Sequence, residues 1–288
     1  ENDYIVADSV IAPPEVATHL SGRCLYLPTS FFPTSHSGLF PHAEPLFGID
    51  KSLDTTRSKL GLPQRELMED VSQSTFVFAT FNKHLKIRPE LFDAWCRVLV
   101  RLPNAVLWML RYPKESEDRL KAWAEKFGVS GQLRFSDFVN TSEENFLRVW
   151  RGADAVLDTT IYGAHTGTVD ALWAGLPVVT CMGHCVDRDT PSEYGDQMAS
   201  RVAASMLGAI GLEKDLVATD LEDYTERCVR MATDHTWYDS MTQRIREARS
   251  TSDLWKPEVY GKRLSEGLES IWANFIDGKS PQDITVTS

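Results

Sequence analysis

The sequence predicts an α/β fold: a doubly wound, Rossmann-like parallel sheet followed by a helical C-terminal tail. Between residues 72 and 218, short runs of apolar and β-favouring residues alternate with amphipathic stretches of helical spacing. The runs are apolar at consecutive positions, which is typical of strands buried on both faces of a parallel sheet. From residue 219 to residue 276 the apolar spacing is helical throughout. We therefore expect strands that alternate with helices, followed by helices alone.

Strands are predicted at short runs of mostly apolar or β-favouring residues, which are bounded by turn residues or polar stretches. In chain order they are residues 4–7, 74–80, 105–110, 133–136, 155–158 and 177–181. The first precedes a segment punctuated by prolines, residues 28–41, that has the character of a connecting region. The other five belong to the alternating part and are predicted to form one parallel sheet.

The helix boundaries follow from capping residues. Pro89 is tolerated in a first helical turn, so a helix is predicted to begin there. Gly128 closes an amphipathic stretch over residues 114–127, and a helix that begins near Thr166 ends at Gly175. Capping boxes, a Ser or Thr followed three residues later by Glu, predict further helix starts at residues 141 and 219.

The composition is that of a soluble globular protein. The chain has 288 residues, of which 42% are hydrophobic and 25% charged, enough for a sizeable core. Its net charge of -11 repels nucleic-acid phosphates and anionic lipid headgroups. No run approaches the ~18 apolar residues that a membrane span needs, and no signal peptide begins the chain. Neither nucleic acid nor a membrane is an expected partner.

The five cysteines are an odd number, and most lie inside apolar stretches. This usage predicts buried free thiols in a reducing compartment, so we expect the protein in the cytoplasm and nucleus. The chain begins with Glu1, which suggests a piece of a longer protein.

Ligands of open parallel sheets bind at the carboxyl ends of the strands, beside the N-termini of the following helices. The dinucleotide motif G-x-G-x-x-G and the P-loop motif are both absent from this sequence. The loop after the 74–80 strand contains Lys86, whose flexible ammonium can reach a phosphate oxygen. Taken alone, a lysine near a helix start is more often a solvated surface residue.

Residues 162–170, between the 155–158 strand and its helix, form the second candidate loop. Small residues such as Gly167 let the backbone approach a ligand, and the helix start at Thr166 offers free N–H groups to a diphosphate. Asp170 lies about one turn into the helix, where its carboxylate suits ribose hydroxyls. Asp170 equally suits any first helical turn, and His165 suits a capping turn. Separately, these residues assign no function.

Together, the segments resemble one family. Five segments are similar in order and spacing to those of the protein O-GlcNAc transferases, glycosyltransferase family 41. They are FNKHLKI, RLPNAVLWMLRYP, ADAVLDT, GAHTGTVDALWAGLPVVT and ASRVAAS. The likeness extends from DYIVAD near the start to WANFI near the end. It implies a GT-B fold, in which two Rossmann-like domains face each other across a cleft. This chain resembles the second, donor-binding half.

The resemblance also implies the domain organisation and the reaction. Residues 1–71 would be the end of the N-terminal catalytic lobe and a connecting region, 72–218 the nucleotide-sugar-binding domain, and 219–288 C-terminal helices packed on that lobe. The reaction would be inverting, metal-independent transfer of N-acetylglucosamine from UDP-GlcNAc to Ser and Thr hydroxyls of intracellular proteins, without a cofactor. The implied partners are UDP-GlcNAc, acceptor proteins, and a missing N-terminal catalytic lobe with helical repeats.

Site residues are carried over by motif. Lys86 corresponds to the family lysine that neutralises the departing diphosphate, and Asp170 to the ribose-binding acid. His165, Thr166 and Gly167 correspond to a His-Thr-Thr turn whose amides hold the phosphates. Pre-placed donors of this kind stabilise the negative charge that builds on the leaving UDP.

Three positions depart from the family pattern. Lys83 stands in place of a Gln, Gly167 in place of the second Thr, and Asn145 in place of a His in the helix that contacts uracil, where Arg148 keeps the family arginine. The Asn145 change affects the predicted preference for uridine most. An insertion at about residues 184–194 either covers the site or decorates its rim.

Other functions and ligands stay open. Transfer of fucose from GDP-fucose, as in the related plant SPINDLY proteins, is disfavoured by the His165-Thr166 pair, since the fucosyl relatives have threonines there. A non-catalytic scaffold is compatible with Asn145 and Gly167.

Two short patterns suggest a metal. Residues 187–189 form a D-x-D triplet, but they lie inside the insertion. Cys181, His184 and Cys185 have soft-ligand spacing but lack a fourth ligand. No metal is expected.

Overall fold

The structure is a computed structural model that describes residues 3–40, 57–64, 75–137, 152–182 and 197–287. Its strands are assigned as follows: β1 Tyr4–Ala7, β2 Arg23–Tyr26, β3 Phe76–Thr80, β4 Ala105–Leu110, β5 Leu133–Ser136, β6 Ala155–Leu157, β7 Val178–Cys181, β8 Val217–Ala218 and β9 Ile284–Thr285. These strands pair in parallel, in a six-stranded sheet and a three-stranded sheet.

The helices of the described residues flank these sheets. They are α1 Pro14–Ala17, α2 His36–Leu39, α3 Pro89–Arg101, α4 Glu117–Glu125, α5 His165–Trp173, α6 Met198–Ala209, α7 Glu213–Leu216, α8 Leu221–Thr233, α9 His235–Thr251 and α10 Pro257–Ile276. Two short 3-10 helices, Lys114–Ser116 and His84–Lys86, precede α4 and α3 respectively.

The six-stranded sheet has the strand order β5-β4-β3-β6-β7-β8. The chain therefore builds outward from β3 in one direction and from β6 in the other, and β3 and β6 are neighbours at the reversal. In doubly wound sheets a crevice forms at this switch point, outside the carboxyl ends of the two strands. Strands β3, β6 and β7 are buried along their whole length, which explains their continuous apolar sequences.

The three-stranded sheet has the order β1-β2-β9 and joins the two ends of the chain. Its packing against α10 forms a small separate cluster in which Leu25, Leu27 and Val286 are buried. Gly267 of α10 lies directly over Leu25: an added Cβ would be 2.5 Å from Leu25 Cδ1. The absence of a side chain at residue 267 allows this close approach of helix to strand.

The C-terminal helix α8 packs on the large sheet and supports its edge. Buried Tyr224 receives a hydrogen bond from Trp95 Nε1 (3.3 Å) and donates one to the carbonyl of Asp158 (3.2 Å), directly after β6. The cap of α8 is Asp220, whose carboxylate accepts from Asp223 N. The capping box predicted at residues 219 and 222 is thus wrong by one position, because Asp220 competes for the cap with a charged oxygen.

The predicted alternation of strands and helices is confirmed for the described part of the large sheet. Three strands were missed, β2, β8 and β9, and the last two have only two residues each. The view of residues 28–41 as a mere connection is also incomplete, because Ser30, Thr34 and His36 are buried there. The predicted helix at residues 141–151 lies outside the described residues, and the division into three domains stays a prediction.

Candidate functional site

The candidate site lies at the switch point, where the loops after β3 and β6 meet. Lys86 ends the short 3-10 helix after β3, and its ammonium crosses to the neighbouring loop. Lys86 Nζ donates to the carbonyl of Gly163 at 3.0 Å and to Asn82 Oδ1 at 3.2 Å. The two candidate loops therefore converge in the structure, and the Lys86 ammonium joins them.

Tyr162 and His165 form the wall of the site beside this ammonium. Lys86 Nζ lies 4.2 Å from the centroid of the Tyr162 ring, within cation–π range. The Tyr162 and His165 rings are stacked, with centroids 4.9 Å apart and an angle of 16° between their planes. His165 Nε2 lies 3.1 Å from the carbonyl of Ala199 in α6. Because Tyr162 is 46% exposed, this wall faces solvent.

A buried carboxylate, Asp158, holds the loop after β6 in shape. It accepts hydrogen bonds from Ala164 N (2.6 Å) and from the Thr180 hydroxyl (2.8 Å). Desolvation raises the pKa of Asp158 above its ordinary value, against these hydrogen bonds and the Lys86 charge, which lower it. An added Cβ on Gly163 would lie 3.0 Å from Asp158 Oδ2, so the loop has little room there.

Helix α5 presents its N-terminus to the same site. It begins at His165, after the N-cap residue Ala164, and no side chain caps it. The first N–H groups of a helix have no intrahelical acceptor and carry the positive end of its dipole. Those of His165, Thr166 and Gly167 are the groups that the sequence predicted for phosphate binding. An added Cβ on Gly167 would lie 3.5 Å from Ala164 Cβ, an ordinary contact.

Asp170 lies in the next turn of α5 and is paired with a residue far away in sequence. Its Oδ1 is 2.7 Å from His36 Nε2 of α2, and the two side chains are 25% and 9% exposed. The sequence placed no role on His36, although it belongs to the segment that brings α2 onto α5.

The ammonium of Lys86 is the positive charge best placed for an anion. Burial lowers the pKa of Lys86, and Lys83 lowers it further, whereas Asp158 raises it. A partly desolvated ammonium gains more from a nearby phosphate than a solvated one does. With the N-terminus of α5, it makes a site suited to a diphosphate.

The other predicted residues do not join this centre or cannot be placed. Lys83 directs its ammonium to the Tyr112 ring, 5.3 Å from the centroid, on the β4 side of the loop. Asn145 and Arg148 lie outside the described residues, as do the insertion at 184–194, the D-x-D triplet, His184 and Cys185. Within the described ranges, no group of three or more His, Cys, Asp or Glu side chains has the arrangement of a metal site.

The described cysteines agree only in part with the predicted free thiols. Cys24, Cys96 and Cys228 are free and buried, and burial raises the pKa of each thiol, that of Cys96 to about 12. Cys181 is disulfide-bonded, so the prediction of free thiols is wrong for this residue.

Among the described helices, none combines the length and the apolar composition of a membrane span.

Three site residues were missed from the sequence: Asp158, Tyr162 and His36. Asp158 had a usable signal, since it is a charged residue directly after a buried strand. Tyr162 lies in the loop that was singled out, but its contact with Lys86 depends on the pairing of β3 with β6. His36 had no local signal, because 134 positions separate it from Asp170.

Comparison with known proteins gives a consistent family match. The model of glycosyl transferase family 41 matches residues 51–264. A probable UDP-N-acetylglucosamine–peptide N-acetylglucosaminyltransferase of Arabidopsis thaliana is 31% identical over 99% of this chain, and one of Caenorhabditis elegans is 30% identical over 80%. The chain spans only 26% and 18% of the length of these two relatives.

The solved structures agree on the fold. A mutant O-GlcNAc transferase of Thermobaculum terrenum superposes with a TM-score of 0.70 at 24% identity, covering 94% of this chain and 45% of that protein. The predicted fold class, a doubly wound half of a GT-B glycosyltransferase with a helical tail, is confirmed by this match and by the parallel six-stranded sheet.

Proposed function

This chain belongs to glycosyl transferase family 41, and on that premise we propose that it is the donor-binding half of an enzyme that transfers N-acetylglucosamine. The donor is UDP-GlcNAc, and the acceptors are Ser and Thr hydroxyls of proteins in the cytoplasm and nucleus. The observation that carries the proposal is the bridge from Lys86 Nζ to the Gly163 carbonyl, 3.0 Å long, beside the N-terminus of α5.

The proposed chemistry is an inverting displacement without a metal. The acceptor hydroxyl oxygen attacks the anomeric carbon on the face opposite the diphosphate and loses its proton to a base. The bond from that carbon to the diphosphate oxygen breaks at the same time, and its electrons leave with UDP. Lys86 and the α5 N–H groups stabilise the negative charge that develops on UDP. Each group is held before the reaction: Lys86 by Asn82 and Gly163, and the helix start by Asp158.

We take the remaining roles from the family resemblance. In this proposal the Asp170 carboxylate, in the second turn of α5, accepts from ribose hydroxyls. We assign the base to Asn145 and Arg148, which lie outside the described residues, and a place at the rim to Lys83. Since the chain spans about a quarter of its Arabidopsis relative, we assign the acceptor side to a further catalytic lobe and helical repeats that this chain does not contain.

The test is calorimetric titration of the 288-residue chain with UDP, UDP-GlcNAc and GDP. We expect binding of UDP and UDP-GlcNAc and at least tenfold weaker binding of GDP. Lys86→Met should weaken UDP binding by about 10- to 100-fold, since it removes a charge-assisted contact. Lys114→Met, at an exposed lysine near the same sheet edge, is the matched control and should bind UDP like the wild type.

The other outcomes separate the alternative functions. Preference for GDP would favour a fucosyltransferase, and no binding of any nucleotide would favour a scaffold. Undiminished UDP affinity in Lys86→Met would contradict the leaving-group role.

A further inference from the structure

The contact between His36 and Asp170 joins two parts of the chain that the sequence treats as unrelated. His36 begins α2, in the segment between β2 and the large sheet, and Asp170 lies on α5. Their side chains are 2.7 Å apart, from Nε2 to Oδ1. Since an ionised carboxylate only accepts hydrogen bonds, the imidazole Nε2–H is the donor. The contact engages one carboxylate oxygen and leaves the second to other donors.

The imidazole ring is held in place by aromatic side chains on several sides. Its centroid lies 5.7 Å from that of Phe40, 6.3 Å from Trp173 and 6.2 Å from Trp255. Trp173 belongs to α5 itself, and Trp255 comes from the segment before α10. The ring therefore has little freedom to change its orientation, so the direction of its Nε2–H toward Asp170 Oδ1 is fixed.

Asp170 differs from His36 in its exposure. The histidine side chain is 9% exposed and the aspartate side chain 25%. Thus one partner is nearly buried and the other is partly exposed, in the second turn of the helix whose N-terminus borders the site. A partly exposed carboxylate on a helix has several rotamers open to it, and a hydrogen bond from a fixed donor selects one of them.

We propose that His36 is a positioning residue of the donor site, which orients the Asp170 carboxylate for the ribose hydroxyls of the nucleotide. This inference rests on the proposed function, because it gives Asp170 its ribose-binding role. The imidazole does not touch the nucleotide; it acts through Asp170. The segment of residues 28–41 thereby contributes to nucleotide recognition.

The test compares two nucleotides that differ only in the groups Asp170 would bind. UDP and 2′,3′-dideoxy-UDP are titrated into the 288-residue chain and into the variants His36→Phe and His36→Gln. Phenylalanine keeps an aromatic ring among Phe40, Trp173 and Trp255 but removes the N–H donor. Glutamine restores an N–H donor at a similar distance from the backbone. His19→Phe, the same change at an exposed histidine, is the control.

In His36→Phe, we expect UDP affinity to fall by about tenfold, the effect of losing one hydrogen bond to a charged group. Affinity for the dideoxy nucleotide should stay at its wild-type value, and His36→Gln should recover part of the UDP affinity. His19→Phe should change neither.

Three outcomes would overturn the inference. Wild-type UDP affinity in His36→Phe would show that Asp170 needs no orientation. Equal losses for both nucleotides would assign His36 a purely structural role. A wild-type chain that binds no UDP at all would reject the proposed function and this inference with it.

Discussion

The carboxyl edge of the large sheet and the face of the small sheet under α10 are stabilised by different means. At the carboxyl edge of the large sheet, polar contacts converge on backbone groups: Lys86 on the Gly163 carbonyl and Asp158 on the Ala164 N–H. The face of the small sheet under α10 depends on apolar packing, with Leu25 and Val286 buried there. A buried polar network fixes one geometry only when each member is satisfied, whereas apolar packing tolerates rearrangement until volumes clash.

This difference explains why the site lies where it does. A diphosphate needs donors held in place before it arrives, and the network around Asp158 supplies them. The small sheet has a buried carboxylate of its own, Asp8 directly after β1, which accepts from Val10 N, Ile11 N and Phe31 N. What the large sheet adds is the Lys86 ammonium beside the start of α5. Substitutions in the two regions should therefore separate nucleotide binding from stability.

The largest effect is expected at Asp158. Asp158→Ala leaves the Ala164 N–H and the Thr180 hydroxyl without their acceptor in a buried place, at a cost of about 3–5 kcal/mol in the free energy of unfolding. UDP binding should be lost with it, because the loop that carries Gly163 and the α5 start is no longer held. Urea unfolding and calorimetric titration with UDP measure the two quantities.

Asp158→Asn is the companion variant, since the amide keeps one acceptor oxygen in the same place. We expect it to lose roughly half as much unfolding free energy as the alanine variant. Normal UDP affinity in the alanine variant would refute the link between this network and the site.

The second prediction concerns Gly267, in the small-sheet region. Gly267→Ala places a Cβ 2.5 Å from Leu25 Cδ1, and the buried leucine must move, which should lower the unfolding free energy by about 1–3 kcal/mol. UDP affinity should not change, because no site residue touches this contact. Gly261→Ala on the same helix is the control: nothing lies within 4 Å of its added Cβ, and better helix propensity should add about 0.5–1 kcal/mol.

A loss of UDP affinity in Gly267→Ala would show that the two sheets are coupled. Their separation into a stability region and a binding region would then be wrong.

The smallest effect is expected at Gly163. Gly163→Ala places a Cβ 3.0 Å from Asp158 Oδ2, which should displace the Gly163 carbonyl from Lys86 and weaken UDP binding by about three- to tenfold. Gly131→Ala is the matched control, since nothing lies within 4 Å of its added Cβ and the residue lies outside the site, in the turn before β5. It should bind UDP as the wild type does. Equal UDP affinities in the two variants would show that the steric fit around Asp158 does not affect nucleotide binding.

The sequence determined the large sheet and the two loops of interest. The continuous apolar runs at β3, β4 and β7 indicated buried parallel strands, and residues in the loops after β3 and β6 were singled out because ligands of such sheets bind there. These signals are local, because the burial of a strand and the start of a helix depend mainly on consecutive residues. The family resemblance then assigned the predicted roles of Lys86, His165 and Asp170.

Only the tertiary structure decided which side chains meet. The pairing of β3 with β6 brings Lys86 to Gly163 and Tyr162, and the packing of α2 on α5 brings His36 to Asp170. Strand β9, two residues long, is defined by its partner β2, some 260 positions away, as Leu25↔Ile284 shows. A single His or Tyr carries no pattern in the residues beside it. Such a side chain acquires a function only when long-range packing brings it into hydrogen-bond or ring contact with another group, and neighbouring residues in the sequence do not determine that contact.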